Sequence, residues 1–359
     1  MTPPGCIPFD AAALVRPVLR RLKTEPSGRH VPYVATSLLV TALLLSCAAR
    51  ADQDARRWLD DMNLAFSDLS YDGIFSYYSG DDLASLRVVH MVVDGEQRER
   101  LVHLNGAPRE IVRRGEEVEC IVLPGDALLE LEQSIPSGPF ARAFVRRYDQ
   151  ISDHYGLAIS GEDRVADRVA VRLAVTPRDD DRYGYHLWLD KETRLLLRSE
   201  LLSRDGERLE IFQFNQIRLG EEVDPGALEP DGKSGSLISH LTLATKHPEP
   251  VATAEMAWMA GWLPPGFRVA AADIRRVPSS LRAVNTMMYT DGLAAFSLFI
   301  EDMPESGAAA MVSRNGATVA VTHLISGAEN EPHLVTLVGE IPVPTAQRIA
   351  QSVKIRSKQ

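Results

Sequence analysis

A chain of 359 residues is too long for one ordinary domain and suits two. With 45% hydrophobic and 25% charged residues it is globular, which excludes the disordered and fibrous classes, and its core can be large enough to need neither metal nor disulfide. A net charge of −10 argues against nucleic acid as a partner.

The first 51 residues predict a targeting segment. Arg16, Arg20, Arg21, Lys23 and Arg29 precede an apolar run from Val34 to Leu45, and Ala49-Arg50-Ala51 offers an A-x-A cleavage site. The run is too short to span a bilayer comfortably, which favours a cleaved signal over an anchor. A second reading is a lipoprotein signal, because Leu44-Leu45-Ser46-Cys47 loosely resembles a lipobox. The leader is also longer than usual, so translation could begin downstream of Met1. The leader carries six Lys/Arg and two Asp/Glu, and its removal takes the net charge from −10 to −14. It also removes Cys6 and Cys47. Cys120 is left alone, without an intramolecular disulfide, as a quiet core thiol.

The mature chain opens with a helix over about 52–70, with Trp58, Met62, Ala65, Phe66 and Leu69 on one stripe. From Tyr71 the period falls to two: Tyr71, Gly73, Phe75 and Tyr77 share a strand face. A strand over Leu86–Val93 and an Asp94-Gly95 turn follow. Arg98–Leu123 then reads as a three-stranded antiparallel meander, with reversals at Asn105-Gly106 and Arg114-Gly115-Glu116. Phe140, Phe144, Tyr148, Ile151 and Tyr155 predict a helix over 138–155. Strands return at Val165–Thr176, Tyr183–Leu189, Arg194–Leu202 and Arg208–Leu219, the last two joined at Asp205-Gly206. Val88 to Val93 and Leu195 to Leu197 are apolar on both faces, so this sheet must be covered twice or line a concavity.

Residues 224–236, rich in turn formers, read as a linker between a first domain at 52–223 and a second at 237–359. In the second, Arg268–Arg275, Ala283–Thr290, Leu293–Ile300, Ala310–Arg314, Thr318–Ile325 and His333–Gly339 read as strands. Asp291-Gly292 and Asn315-Gly316 supply turns, and a closing helix covers about Thr345 to Val353.

No catalytic signature appears: there is no phosphate loop, no G-x-G-x-x-G, no H-E-x-x-H, no G-x-S-x-G and no C-x-x-C. The nine histidines lack ligand spacing; His90 and His103 could face each other across a hairpin, although such pairs on strands are usually structural. No cofactor, metal site or enzymatic activity is expected. Three sets of residues are candidates for binding. Phe75, Tyr77, Val88, Trp188 and Phe212 could line a hydrophobic, lipid-holding cavity, or be plain core. Arg142, Arg146 and Arg147 form a basic patch suited to phosphate or carboxylate, or a solvated helix face balanced by Asp149 and Asp153. Trp258, Trp262 and Phe267, around a Pro-Pro-Gly turn, make either a core plug or a partner-binding patch.

The motif ERL..L.G..RE..R.G..V.C in Arg98–Leu123, Tyr71-Asp-Gly-Ile-Phe75, Val89-His90, Gly261-Trp-Leu-Pro-Pro-Gly-Phe267 and Leu334 to Pro342 occur in one order along the mature chain. Together they resemble the RseB/MucB family of periplasmic regulators. The resemblance implies an α+β protein: a large N-terminal antiparallel half-barrel similar to the lipoprotein carriers LolA and LolB, with helices, plus a smaller C-terminal α+β domain. It implies that the protein binds the periplasmic domain of a single-pass inner-membrane anti-sigma factor. It further implies protection of that factor from site-1 proteolysis until lipopolysaccharide or another acylated ligand signals envelope stress. A periplasmic lipid or lipoprotein carrier is the alternative. The partner set left open includes a homo-oligomer.

Overall fold

A helix, α1 at 54–68, forms because its apolar side chains recur every three or four residues: Ala55, Leu59, Met62 and Ala65 are buried in one core. The computed structural model describes residues 54–106, 109–115, 117–122, 151–230, 239–244, 257–276, 283–303, 309–327 and 331–356. The targeting segment lies outside the described residues. No helix among the described residues is long and apolar enough to cross a membrane.

Eleven antiparallel strands form the large sheet. They are β1 Tyr71–Ser79, β2 Asp82–Val93, β3 Glu96–His103, β4 Arg109–Arg114, β5 Glu117–Val122, β6 Tyr155–Val165, β7 Arg168–Pro177, β8 Gly184–Asp190, β9 Leu196–Leu202, β10 Arg208–Leu219 and β11 Ser239–Ala244. Their order is β11-β5-β4-β3-β2-β1-β10-β9-β8-β7-β6. The meander is present as β3, β4 and β5. Asp94 and Gly95 take φ of 55° and 81°, the left-handed pair that a tight hairpin requires. That hairpin sets His90 opposite Glu99 and His103 opposite Leu86, so the two histidines do not meet.

The inner face is the apolar one. Tyr71, Phe75, Leu86, Val88, Leu173, Val175, Tyr185, Leu187, Phe212 and Phe214 belong to the same buried core as α1. A bulge in β10 keeps this face apolar: Ile74 pairs with Gln216, but Phe75 pairs with Phe214, so Asn215 is the extra residue. The parity reversal lets Phe212 and Phe214 face inward together with Ile217 and Leu219. The outer face is charged where it is wet. Arg87 forks onto Asp72, with both contacts at 2.9 Å, and Arg198 pairs with Glu200.

The expected second covering is local. Two short 3-10 turns, Gly220–Glu222 and Pro225–Leu228, follow β10, and the second lies where the sequence predicted only linker. Val223 and Leu228 bury against Val89 on the outer face. Arg100, buried beside Glu110, also donates to the carbonyl of Ala227 at 3.1 Å. Asp224 caps the second turn by accepting from the Gly226 amide at 2.9 Å. Asp224→Ala is therefore expected to cost about 1 kcal/mol, read as a lower thermal midpoint with an unchanged fold by circular dichroism.

The small sheet contains β13 Arg268–Arg276, β14 Ala283–Thr290, β15 Ala295–Asp302, β16 Met311–Asn315, β17 Thr318–Ser326 and β18 Pro332–Gly339, in the order β13-β14-β15-β18-β17-β16. Helix α2, Val343–Ser352, packs on it through Ala346, Ile349 and Ala350. A separate two-stranded ribbon joins β12 Trp258–Ala260 to β19 Val353–Ile355.

Several elements depart from the sequence expectation. Residues 151–154 form a turn and Tyr155 starts β6, so the helix predicted to reach 155 does not; residues 138–150 lie outside the described residues. β11 falls in the stretch assigned to the second domain, but it pairs with β5 at the edge of the large sheet. β12 and β19 were not foreseen, being three residues each. Cys120 pairs with Leu241 and Ile111 along β5; its side chain is outside the described set.

Candidate functional site

Four of the five cavity candidates come together. Phe75, Tyr77, Val88 and Phe212 all stand on the inner face, because Tyr77 pairs with Phe212 and Val88 pairs with Gly73. The rings of Phe75, Phe212 and Phe214 form a triad with centroids 4.9, 5.8 and 5.1 Å apart. These are packed aromatic neighbours, and Phe75, Val88 and Phe212 are buried. Tyr77 is half-buried and donates its hydroxyl to Glu210 Oε2 at 2.8 Å.

Trp188 belongs to the same buried apolar cluster but not to that face. Its cross-strand partners are Arg172 and Arg198, and strand alternation turns it to the outer face. There the Arg198 guanidinium lies 4.7 Å from its ring centroid, and its indole N–H donates to Asp163 Oδ2 at 3.1 Å. The ring is buried, but beneath charged side chains on the opposite side of the sheet.

Arg142, Arg146 and Arg147 lie outside the described residues. The third set separates by depth. Trp258 is buried with its ring 4.8 Å from that of His333, and Phe267 is buried 5.4 Å from Phe296. Trp262 is half-buried; the Arg348 guanidinium lies 3.7 Å from its ring centroid, and its amide donates to Ser352 Oγ.

The densest polar cluster sits where the two sheets meet, and its centre is Arg182, only 2% exposed. Its Nη1 donates to Asp291 Oδ2 at 2.6 Å, its Nη2 to the carbonyl of Pro265 at 2.7 Å and its Nε to Asp179 at 2.9 Å. The guanidinium also lies between the rings of Tyr155, at 5.5 Å, and Phe267, at 5.3 Å. Burial opposes its charge, but Asp179, Asp291 and Tyr155 more than offset this and hold it protonated. Tyr155 donates to the same Asp291 oxygen at 2.9 Å; burial, then Asp291, pushes its phenol well above the ordinary range, so it remains a donor. The other Asp291 oxygen accepts from the amides of Leu293 and Ala294. One carboxylate thus shapes a turn in the small-sheet half and anchors a cation from the large-sheet half.

A second contact joins turn to turn. Gly316, at φ 58°, brings the β16–β17 turn so close to the β1–β2 turn that a Cβ there would lie 2.9 Å from the Gly80 amide nitrogen. Glu210 Oε1 accepts from the Ala317 amide at 3.4 Å and from Ser79 Oγ at 3.1 Å. Asn315 donates to Asp82, Arg314 pairs with Glu207 at 3.8 Å, and Thr345 donates to Asp181 at 2.8 Å. Of the residues in these two contacts, sequence reasoning named Phe267 alone as a site candidate, and in another role. The only signals were the Asp291-Gly292 and Asn315-Gly316 turns, read there as local punctuation.

Among the described residues, no group of three or more His, Cys, Asp or Glu could hold a metal. A large antiparallel sheet closed over one helix and locked to a smaller α+β unit defines a two-domain sheet protein whose polar cluster lies at the domain junction. The chain belongs to the MucB/RseB family: the MucB/RseB N-terminal domain matches residues 54–231 and the MucB/RseB C-terminal domain matches residues 252–354. It is 36% identical to the sigma factor AlgU regulatory protein MucB of Pseudomonas aeruginosa, over 88% of this chain and 96% of that protein. To the sigma-E factor regulatory protein RseB of Escherichia coli K12 it is 30% identical, over 91% of this chain and 99% of the relative. A crystal structure of MucB in complex with MucA(peri) superposes with a TM-score of 0.68 at 34% identity, covering 85% of this chain and all of the other.

Proposed function

We propose that this protein is a periplasmic negative regulator that binds the periplasmic domain of a single-pass inner-membrane anti-sigma factor and hinders its cleavage by a site-1 protease. The observation that carries the reading is the family match across both halves, together with the likeness to a MucB chain solved on MucA(peri). The role is one of binding, without catalysis. Export with cleavage after about Ala51 belongs to the same reading, as does a division into large-sheet and small-sheet domains, placed after Ala244 rather than at residues 224–236 because Ser239–Ala244 pairs in the large sheet. Arg142, Arg146 and Arg147 are proposed to meet the anionic part of a lipid signal. Trp262, half-exposed beside the junction, is the proposed partner contact of its set, since Trp258 and Phe267 are committed to the core.

Binding to the periplasmic domain of the anti-sigma factor encoded in the same cell, followed by calorimetry, tests this. Micromolar or tighter affinity is expected, and no heat at micromolar concentration overturns it. Lipopolysaccharide at saturation is expected to weaken that binding at least tenfold, because a ligand shifts an equilibrium only between states it binds unequally. Unchanged affinity overturns the lipid arm alone.

A second reading, a lipid or lipoprotein carrier, draws on the apolar inner face. The packed Phe75, Phe212 and Phe214 triad speaks for filled core in that part of the face. Solvent extracts of protein from periplasm, analysed by mass spectrometry, distinguish the two.

A further inference from the structure

Glu340 follows β18 directly, and its amide donates to the Ala295 carbonyl at 3.1 Å, which fixes it at the end of the small sheet. Gly339 pairs with Val319, which places Glu340 beside Thr318 and next to Ala317, the residue whose amide Glu210 accepts from across the seam; there Glu340 is partly buried, with Glu210 as the acidic group acting on it. Glu210 is the residue that reaches across to the Ala317 amide, so it is already part of the turn-to-turn contact. Two carboxylates, one from each half, therefore share a low-dielectric seam.

We propose that Glu340, set against Glu210 between the two sheets, is a proton-operated latch: taking up a proton tightens the junction, and losing it loosens the junction. The inference concerns the free protein and stands whether or not the partner assigned above is correct.

The surroundings leave Glu340 as the group that changes charge. Its charge acts on Tyr77 of β1, on Tyr183 at the entry to β8 and on Tyr185 of β8, and Glu210 of β10 acts on it. All three tyrosines are pushed up, mainly by burial, and stay neutral. The nearby cation Arg314 is engaged by Glu207, and Arg182 by Asp179 and Asp291. Glu340 is raised by burial and then by Glu210 from 4.5 to about 7.

The sign follows from proton linkage. Undocked, Glu340 returns toward its ordinary value, so the docked state binds more protons between about 4.5 and 7. Acid favours the closed junction, and the gain is complete below about 4.5. It is lost as pH rises through about 7. Within that window one proton changes the docking equilibrium by up to roughly tenfold per pH unit.

Hydrogen exchange of the protein from pH 5 to 8, corrected for the intrinsic rate, reads this at the peptides covering Ser79–Asp82 and Asn315–Val319. Protection is expected to fall with rising pH and level off above about 7. Glu340→Gln, isosteric and neutral, is expected to remain protected at every pH. Should that variant fail to fold, Glu210→Gln is expected to move the wild-type midpoint toward acid by about one unit, because it removes the opposing charge. A flat wild-type profile, a Glu340→Gln profile that keeps the wild-type slope, or an unmoved midpoint in Glu210→Gln overturns the proposal.

Discussion

Asp291→Asn is expected to destabilise the protein by about 3 kcal/mol, and Asp291→Ala by about 3–5 kcal/mol, measured by denaturant unfolding. The difference between the two variants separates two jobs. Asparagine keeps an oxygen for the Leu293 and Ala294 amides, so its cost reports the loss of charge facing Arg182. Alanine also removes the turn acceptor. Most of the cost arises because Arg182 is left buried with Asp179 as its one remaining carboxylate partner at the far side of the guanidinium. Because the pair spans the two sheets, the loss should fall on their union. Calorimetry of Asp291→Ala is expected to resolve two transitions where the parent gives one, since each half has a core of its own, linked through Leu293 and Ala317 of the small-sheet half, which pack into the large-sheet core. A variant as stable as the parent would mean that the pair merely recovers its own desolvation cost.

The second large effect is expected at Phe212. It is 3% exposed and packed edge-on and tilted against Phe214 and Phe75, so Phe212→Ala should cost about 3–5 kcal/mol, and Phe212→Leu under about 1.5 kcal/mol. The ratio carries the information. A filled core responds to lost volume, whereas the wall of an open, lipid-holding concavity would lose under 1 kcal/mol on truncation and change ligand uptake instead. Urea unfolding of both variants, alongside lipid extraction, distinguishes those states of the inner face. A cost below 1 kcal/mol for alanine would restore the cavity reading.

Much of the fold was legible because its signals are local. Arg208–Leu219 and Ala283–Thr290 are strands over the residues that alternation and the flanking turns predicted. β6 was missed because an exposed edge strand needs no apolar alternation: Ala158 to Arg164 are all exposed, and Gly161-Glu162-Asp163-Arg164 reads as loop. Its hairpin turn, Ala166-Asp167, carries positive φ at both positions, and an alanine in the first announces no turn. Trp188 failed as a cavity residue for a different reason. An aromatic in a strand declares that it is buried, but not on which face, and the register came only with the pairing to Arg198. The junction was illegible in principle. Arg182 and Asp291 are 109 positions apart, and each looked like surface charge until the fold closed them together.

β11 has a practical consequence for dissecting the protein. The chain leaves the large sheet after β10, wraps the outer face with the two 3-10 turns, and returns as β11 before entering the small sheet. A fragment cut within 224–236 would therefore strip β5 of its partner from Ser239–Ala244 and expose a run of unpaired amides and carbonyls. Such a truncated first half should self-associate through that raw edge, whereas one ending beyond Ala244 should stay monodisperse at the same concentration in light scattering.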